Sequence, residues 1–108
     1  MINSLFVYGT LQPNQSNNYI LESIGGSYQK AFVHGEFDLR GWGLTGGYPA
    51  VRLSETLNKV EGYLFTSSEL QFNLNELDYF EGDCYNRVEV DAYTDKGTQK
   101  AYIYILNE

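Results

Sequence analysis

The sequence predicts a single α+β domain over residues 1–108, with five to seven strands against two short helices. Three observations predict it. Most apolar residues alternate within short segments bounded by Gly, Pro, Asn and Asp, the pattern of half-buried strands. Two segments instead place apolar residues at helical spacing: Tyr19, Leu21 and Ile24, then Leu70, Leu74 and Leu77. A chain of 108 residues suits one core, because two smaller domains would each approach the size that needs a metal or disulfide.

Leu5-Phe6-Val7-Tyr8 reads as the first strand, ending at Gly9, a residue free to adopt dihedrals that others avoid. Pro13-Asn14 marks a turn. Asn17 to Ile24 forms the first helix, stopped by Gly25-Gly26. Residues 28–38 alternate: Ala31, Val33, Gly35 and Phe37 on one side, Phe32, His34, Glu36 and Asp38 on the other. A strand follows from that. Gly41 to Pro49 is a loop with four glycines, and its large aromatics Trp42 and Tyr48 suit packing and a functional role.

Residues 50–53 and 60–66 read as two strands joined by a polar turn. Ser68 is placed to cap a helix over 69–80, with Gln71 in the reciprocal capping position. After Gly82, Val88, Val90 and Ala92 oppose Tyr85, Arg87, Glu89, Asp91 and Tyr93 in another strand. Asp95-Lys96-Gly97 turns the chain. The last strand sets Ala101, Ile103 and Ile105 opposite Tyr102 and Tyr104. Such a set fits a curled or closed sheet.

Composition narrows the function. Seven basic against 14 acidic residues give a formal charge of −7, which argues against nucleic acid or an anionic membrane as partner. The cations are scattered along the chain. No apolar run is long enough to span a bilayer, and Met1-Ile2-Asn3-Ser4 with the short run after it does not read as a signal peptide. The lone Cys84 excludes an internal disulfide and fits a reducing, cytoplasmic setting. The lone His34 argues against a structural zinc site.

With histidine and cysteine so scarce, proton transfer falls to a carboxylate. Glu81 closes the second helix immediately before Gly82. There the negative end of the helix dipole and partial burial both push a carboxyl pKa upward, toward that of a general base at neutral pH. The same position equally suits a solvated glutamate before a C-capping glycine. Tyr8-Gly9-Thr10-Leu11 follows an apolar strand, so its amides either face a cavity and hold a carboxylate or oxyanion, or form an ordinary tight turn.

Asp78 lies three residues before Glu81 and bonds locally or to Arg87, or tunes Glu81. Arg87 itself reads first as a rim partner of Glu89 or Asp91. Tyr102 and Tyr104 share a face and either line a cleft or pack in the core. Nothing nearby supports Cys84 and His34 as a nucleophile and its base.

Four stretches in order carry a resemblance. They are Phe6-Val7-Tyr8-Gly9-Thr10-Leu11, Gly47-Tyr48-Pro49-Ala50, Val60-Glu61-Gly62-Tyr63-Leu64-Phe65, and Leu77-Asp78-Tyr79-Phe80-Glu81-Gly82 followed by Tyr85-Asn86-Arg87. The chain resembles the gamma-glutamylcyclotransferase-like family, with its gamma-glutamylamine cyclotransferases and avirulence-induced-gene-like proteins, over almost its full length. The resemblance implies a small mixed β barrel with two short flanking helices and a cavity beside the Tyr-Gly-Thr loop. It implies an acyltransferase- or lyase-type release of 5-oxoproline with Glu81 as catalytic acid and base. Tyr8, Gly9, Thr10, Leu11, Tyr48 and Tyr85 then bind the substrate, a small gamma-glutamyl or other carboxylate-bearing compound.

No metal or redox cofactor is expected for this chemistry. The chain is shorter than the glutathione-pathway members and has Thr10-Leu11-Gln12-Pro13 where those carry a Gly-Ser-Asn-Leu turn. Gamma-glutamyl dipeptides and gamma-glutamylamines therefore both stay open as substrates, as does the oligomeric state. Two other readings stand beside the enzyme. One is a non-catalytic module that binds a small molecule in the same cavity, the other an interaction domain built on Trp42 and Tyr48.

Overall fold

The chain follows the path β1 (Ser4–Val7), α1 (Tyr19–Ile24), β2 (Ser27–Phe37), β3 (Val51–Leu53) and β4 (Lys59–Thr66). It continues through α2 (Leu70–Glu81), β5 (Tyr85–Thr94) and β6 (Gly97–Leu106). The structure is a computed structural model that describes residues 1–37, 50–54 and 58–106. The aromatic loop expected over 41–49, with Trp42 and Tyr48, lies outside the described residues.

The strands run β3-β2-β4-β1-β6-β5 across the sheet, and β2 also pairs with β5. That pairing closes β2, β4, β1, β6 and β5 into a five-stranded barrel, with β3 added along the edge of β2. The barrel is mixed because β1 lies antiparallel to β4, with Leu5 opposite Phe65, and parallel to β6, with Leu5 opposite Tyr102. The expected small mixed barrel with two flanking helices is the fold observed.

Alternation along each strand divides the apolar residues between two cores. Phe6, Ala31, Val33, Val60, Leu64, Ala92, Ala101 and Ile103 join Val51 in one cluster. Leu5, Val7, Phe65 and Tyr104, their neighbours along the strands, meet Leu21 of α1 and Leu70, Leu74 and Leu77 of α2 in the other. The first cluster fills the barrel and the second glues the helices to its wall. Each leucine of the α2 stripe contributes roughly 1.5–3 kcal/mol by leaving water. Gly62 lets β4 approach β1, since a Cβ there would run into the Val7 carbonyl.

Two local expectations change. Ser68 and Gln71 do not form a capping box. The buried Ser67 accepts the Glu69 N–H at 3.1 Å, while Glu69 takes the cap position without a side-chain bond. Gln71 instead donates to the Ile2 carbonyl at 2.6 Å and to the Tyr102 hydroxyl at 3.2 Å, holding the start of the chain to the helix. A strong donor is better used on a carbonyl that would otherwise lose its water. The left-handed backbone expected at Gly9 falls elsewhere, at Asn14 and at Gly25, Gly82 and Gly97 among the described residues. Gly82, with φ 82°, ends α2 directly after Glu81 and returns its N–H to the Asp78 carbonyl.

Candidate active site

The C-terminus of α2 and the end of β1 meet at one rim of the barrel. The leucine stripe fixes the rotation of α2, with Leu77 fully buried. Asp78 and Glu81 then lie on the flank of that stripe rather than on the exposed side, where Phe72 and Tyr79 stand almost wholly in solvent. Glu81 is half-buried, and this burial raises its carboxyl pKa from the usual 4.5 to about 7. No basic residue occupies the last turn of α2 to oppose the shift.

Tyr8 follows β1 directly, and strand alternation sends its ring toward the barrel interior beside Phe6, at 6.3 Å between centroids. Its hydroxyl donates to the Tyr104 carbonyl at 2.6 Å and accepts from the Val51 backbone N–H. Thus it joins β1, β3 and β6 at the rim. Burial, then the nearby Tyr85, then Glu81 all push the Tyr8 phenol far above its ordinary range. Glu81 acts on the Tyr104 phenol in the same direction, after the larger effects of burial and Asp78. Glu81, Tyr8, Tyr85 and Tyr104 therefore form one electrostatic neighbourhood.

The loop after Tyr8 is held by its carbonyls. Gly9 O accepts from the Gln12 N–H and from Gln12 Nε2, both at 3.1 Å. Thr10 O accepts from the Asn17 N–H at 3.0 Å, and Thr10 Oγ1 from Asn17 Nδ2 at 2.9 Å. Asn18 Nδ2 binds Leu11 O at 2.9 Å. The Gly9 and Thr10 N–H groups donate to no backbone group among the described residues. Amides presented by a pinned loop suit an anion or a polarised carbonyl. The Leu11 side chain is buried in the cluster between helices and barrel, so it anchors the loop.

Asp78 organises the outer side of the site. It accepts Arg87 Nε at 2.9 Å and Nη2 at 3.3 Å, and the Tyr104 hydroxyl at 2.7 Å. The Arg87 guanidinium also lies over the Tyr102 ring, 4.8 Å from its centroid. Arg87, in hydrogen bonding to Asp78, holds the Asp78 carboxyl below its usual range. Of the partners expected for Arg87, Asp78 is the one observed; Asp91 pairs with Lys100 instead, at 2.8 Å. Tyr104 is buried and belongs to this site, a part that its shared face with Tyr102 left open.

The candidate residues thus divide in three. Glu81, Tyr8 and Tyr85 come together, with Gly9, Thr10 and Leu11 continuing from Tyr8, while Tyr48 lies outside the described residues. His34 sits on β2 with its ring edge-on to Phe32 and Tyr93, at 5.7 and 4.9 Å. An open groove of about 910 Å³ runs along the β2–β5 seam past Tyr28, Lys30, Phe32 and Tyr93, and shares no residue with the Glu81 site.

A family model described as gamma-glutamyl cyclotransferase, AIG2-like, matches residues 5–108. The chain belongs to this family. No curated protein sequence matches it. Among solved structures, the AIG2-like chain is similar to YkqA from Bacillus subtilis, with TM-score 0.76 and 28% identity over 99% of this chain and 36% of that one. A solution structure from Arabidopsis thaliana gives TM-score 0.74 and 24% identity, over 96% of this chain and 61% of that one. An AIG2-like protein from Mus musculus shares the fold at TM-score 0.66 and 20% identity, over 96% of this chain and 76% of that one. The chain therefore spans about a third of YkqA and under two thirds of the Arabidopsis protein.

Proposed function

We propose that this AIG2-like domain is a gamma-glutamylcyclotransferase-type enzyme that releases 5-oxoproline from a small gamma-glutamyl amine or peptide. The observation that carries the reading is Glu81, a half-buried carboxyl raised to about 7 near a loop whose Gly9 and Thr10 amides donate to no backbone group among the described residues. An ordinary glutamate is a poor base for a substrate α-amine, which titrates several units above it. A carboxyl raised to about 7 narrows that gap, so proton transfer costs less.

In this reading the ionised Glu81 takes a proton from the substrate α-amino group. The freed nitrogen attacks the substrate's own γ-carbonyl carbon, and the new C–N bond closes a five-membered lactam. The old amide C–N bond breaks as Glu81 returns the proton to the departing nitrogen, and the attacking nitrogen's surplus proton passes to the same amine, which leaves as an ammonium. Atoms balance without a water molecule or redox partner: the products are 5-oxoproline and the free amine. Holding nitrogen and carbonyl in contact supplies much of the rate, since intramolecular attack has a high effective molarity. The Gly9 and Thr10 amides neutralise the α-carboxylate or the developing oxyanion, and Tyr8 and Tyr85 wall the site.

The test is 5-oxoproline release from a panel of gamma-glutamyl amines and dipeptides, with Glu81→Gln beside the native chain. Glutamine keeps the size and removes the base, so turnover should fall about 100-fold or more with substrate affinity retained. Unchanged turnover in the variant would sink the role of Glu81. Binding without product from the native protein would favour the non-catalytic module.

A further inference from the structure

Tyr104 makes two bonds in opposite directions. Its hydroxyl donates to Asp78 Oδ1 at 2.7 Å, one helical turn before Glu81, while its main-chain carbonyl accepts the Tyr8 hydroxyl at 2.6 Å. A single residue of β6 therefore ties the last turn of α2 to the first residue of the amide loop. Arg87 completes the tie from β5, gripping Asp78 through Nε and Nη2 and lying over the Tyr102 ring. This is more than a surface ion pair: the forked guanidinium and the phenol occupy three acceptor sites of one carboxylate and leave it little freedom.

The position of this brace matters because it lies where the leucine stripe of α2 ends. Its leucines end at Leu77, Tyr79 stands in solvent and Phe80 is exposed by 39%. Past Leu77, Asp78 bonds to both β5 and β6 and so ties the helix end to the sheet. We propose that Asp78, Arg87 and Tyr104 are positioning residues that lock the final turn of α2 over the barrel rim. The lock sets Glu81 against the Tyr8 loop without any of the three touching the substrate. This inference rests on the reading of Glu81 as the acid and base, and it assigns a division of labour: Glu81 reacts, and the triad keeps it buried and aimed.

The test uses the intact chain with Arg87→Gln and Tyr104→Phe, each checked for a cooperative thermal melt. Lys100→Gln, in the exposed Asp91–Lys100 pair, serves as control. The first readout is 5-oxoproline release. The second is the pH titration of the Glu81 carboxyl by carbon-13 NMR, which requires no substrate. Among the described residues, the titratable and charged groups around Glu81 are Tyr8 just after β1 and Tyr104 from β6, with Tyr85 beside Tyr8 and Arg87 beside Tyr104, Asp78 on its own helix, and Asp83 and Cys84 following in the chain.

Signs separate aiming from simple electrostatics. Loss of the Arg87 charge acts directly to raise the Glu81 midpoint, because an attractive cation is gone. Loss of the brace admits water and lowers it. Tyr104→Phe changes no charge at neutral pH, so only the second effect operates there. Both variants should lower the midpoint from about 7 toward 4.5. Both should also cut kcat by about 10- to 100-fold, the penalty of misplacing a catalytic group, with KM changed by less than about threefold. The Lys100→Gln control should leave both readouts in place.

An unmoved or raised midpoint in both variants, or an unchanged kcat, overturns the brace. If the native chain releases no product from any gamma-glutamyl compound, the proposed activity fails but the titration still decides the brace. Its midpoint then falls in the two variants, as the brace requires, or stays and refutes it. Should Arg87→Gln fail to fold, Arg87→Lys, which keeps the charge and loses the fork, takes its place with the same expected direction.

Discussion

Glu81 holds its carboxyl where the folded chain opposes its charge, and the opposition has a thermodynamic sign. Its folded midpoint of about 7 lies above the ordinary 4.5, so between these values the native state binds more protons than the unfolded one. Stability is present in full below about 4.5 and falls as pH rises toward 7. The loss is up to about 3 kcal/mol, and smaller to the extent that water reaches the half-buried group. Glu81→Gln removes that cost. The variant should gain about 1–3 kcal/mol over the native chain at pH 8 and almost nothing at pH 4, read from urea unfolding midpoints. A gain of equal size at both pH values would show that Glu81 titrates normally in the fold. Asp78 behaves oppositely: its pairing with Arg87 adds stability that persists above the ordinary carboxylate range and fades only in strong acid. The sequence made Glu81 legible, because a helix end and scarce histidine leave few other bases. It left Tyr104 undecided, since the Tyr8–Tyr104 bond joins residues 96 positions apart and uses a main-chain carbonyl that no side-chain pattern reveals.

The helix α2 carries its site through two separate devices, a buried stripe and a terminal brace. Leu70, Leu74 and Leu77 were readable from spacing alone, because burial of one helical face imposes that period. The start of the helix was not. Ser67 and Ser68 are chemically equal in sequence, and which one turns inward depends on the path of β4, where Thr66 pairs with Ser4 and Ser67 bonds back to Asn3. Leu77 is the residue that joins the stripe to the site. Leu77→Ala should destabilise the chain by about 2–5 kcal/mol, seen as a lower urea midpoint, because a fully buried side chain is replaced by a cavity. Phe72→Ser, on the same helix but 82% exposed, should change stability by less than about 0.5 kcal/mol. A comparable loss in both variants would mean that α2 is held by something other than its leucine face.

At the scale of the molecule the barrel is not equally closed all round. β5 and β6 match over ten residue pairs and β2 and β4 over eight, whereas β2 and β5 meet at the single pair Phe32 and Tyr93, as β1 and β6 do at Leu5 and Tyr102. Alternation made the strands legible but not this closure, because a strand repeats with the same period in an open sheet and in a barrel. The set of strands left a curled and a closed sheet both open, and the family resemblance pointed to the closed one. Side chains cross the seam: Phe32 stacks on Tyr93 at 5.2 Å, His34 meets Tyr93 edge-on at 4.9 Å, and Gln29 donates to Asp95 at 2.8 Å. These contacts are partly open to water, so breaking them costs less than parting a long ladder. Local opening should therefore be easier there than across the β5–β6 ladder. By native-state hydrogen exchange, the amides of Phe32 and Tyr93 should exchange at least about tenfold faster than those of Val88 and Ile103 in the β5–β6 ladder. Tyr93→Ala should widen the difference, since it removes the stacked ring while the β5–β6 ladder stays. Equal protection at all four positions would show that the seam opens only when the whole barrel unfolds, and that one residue pair with its stacked rings closes the ring as firmly as a full ladder.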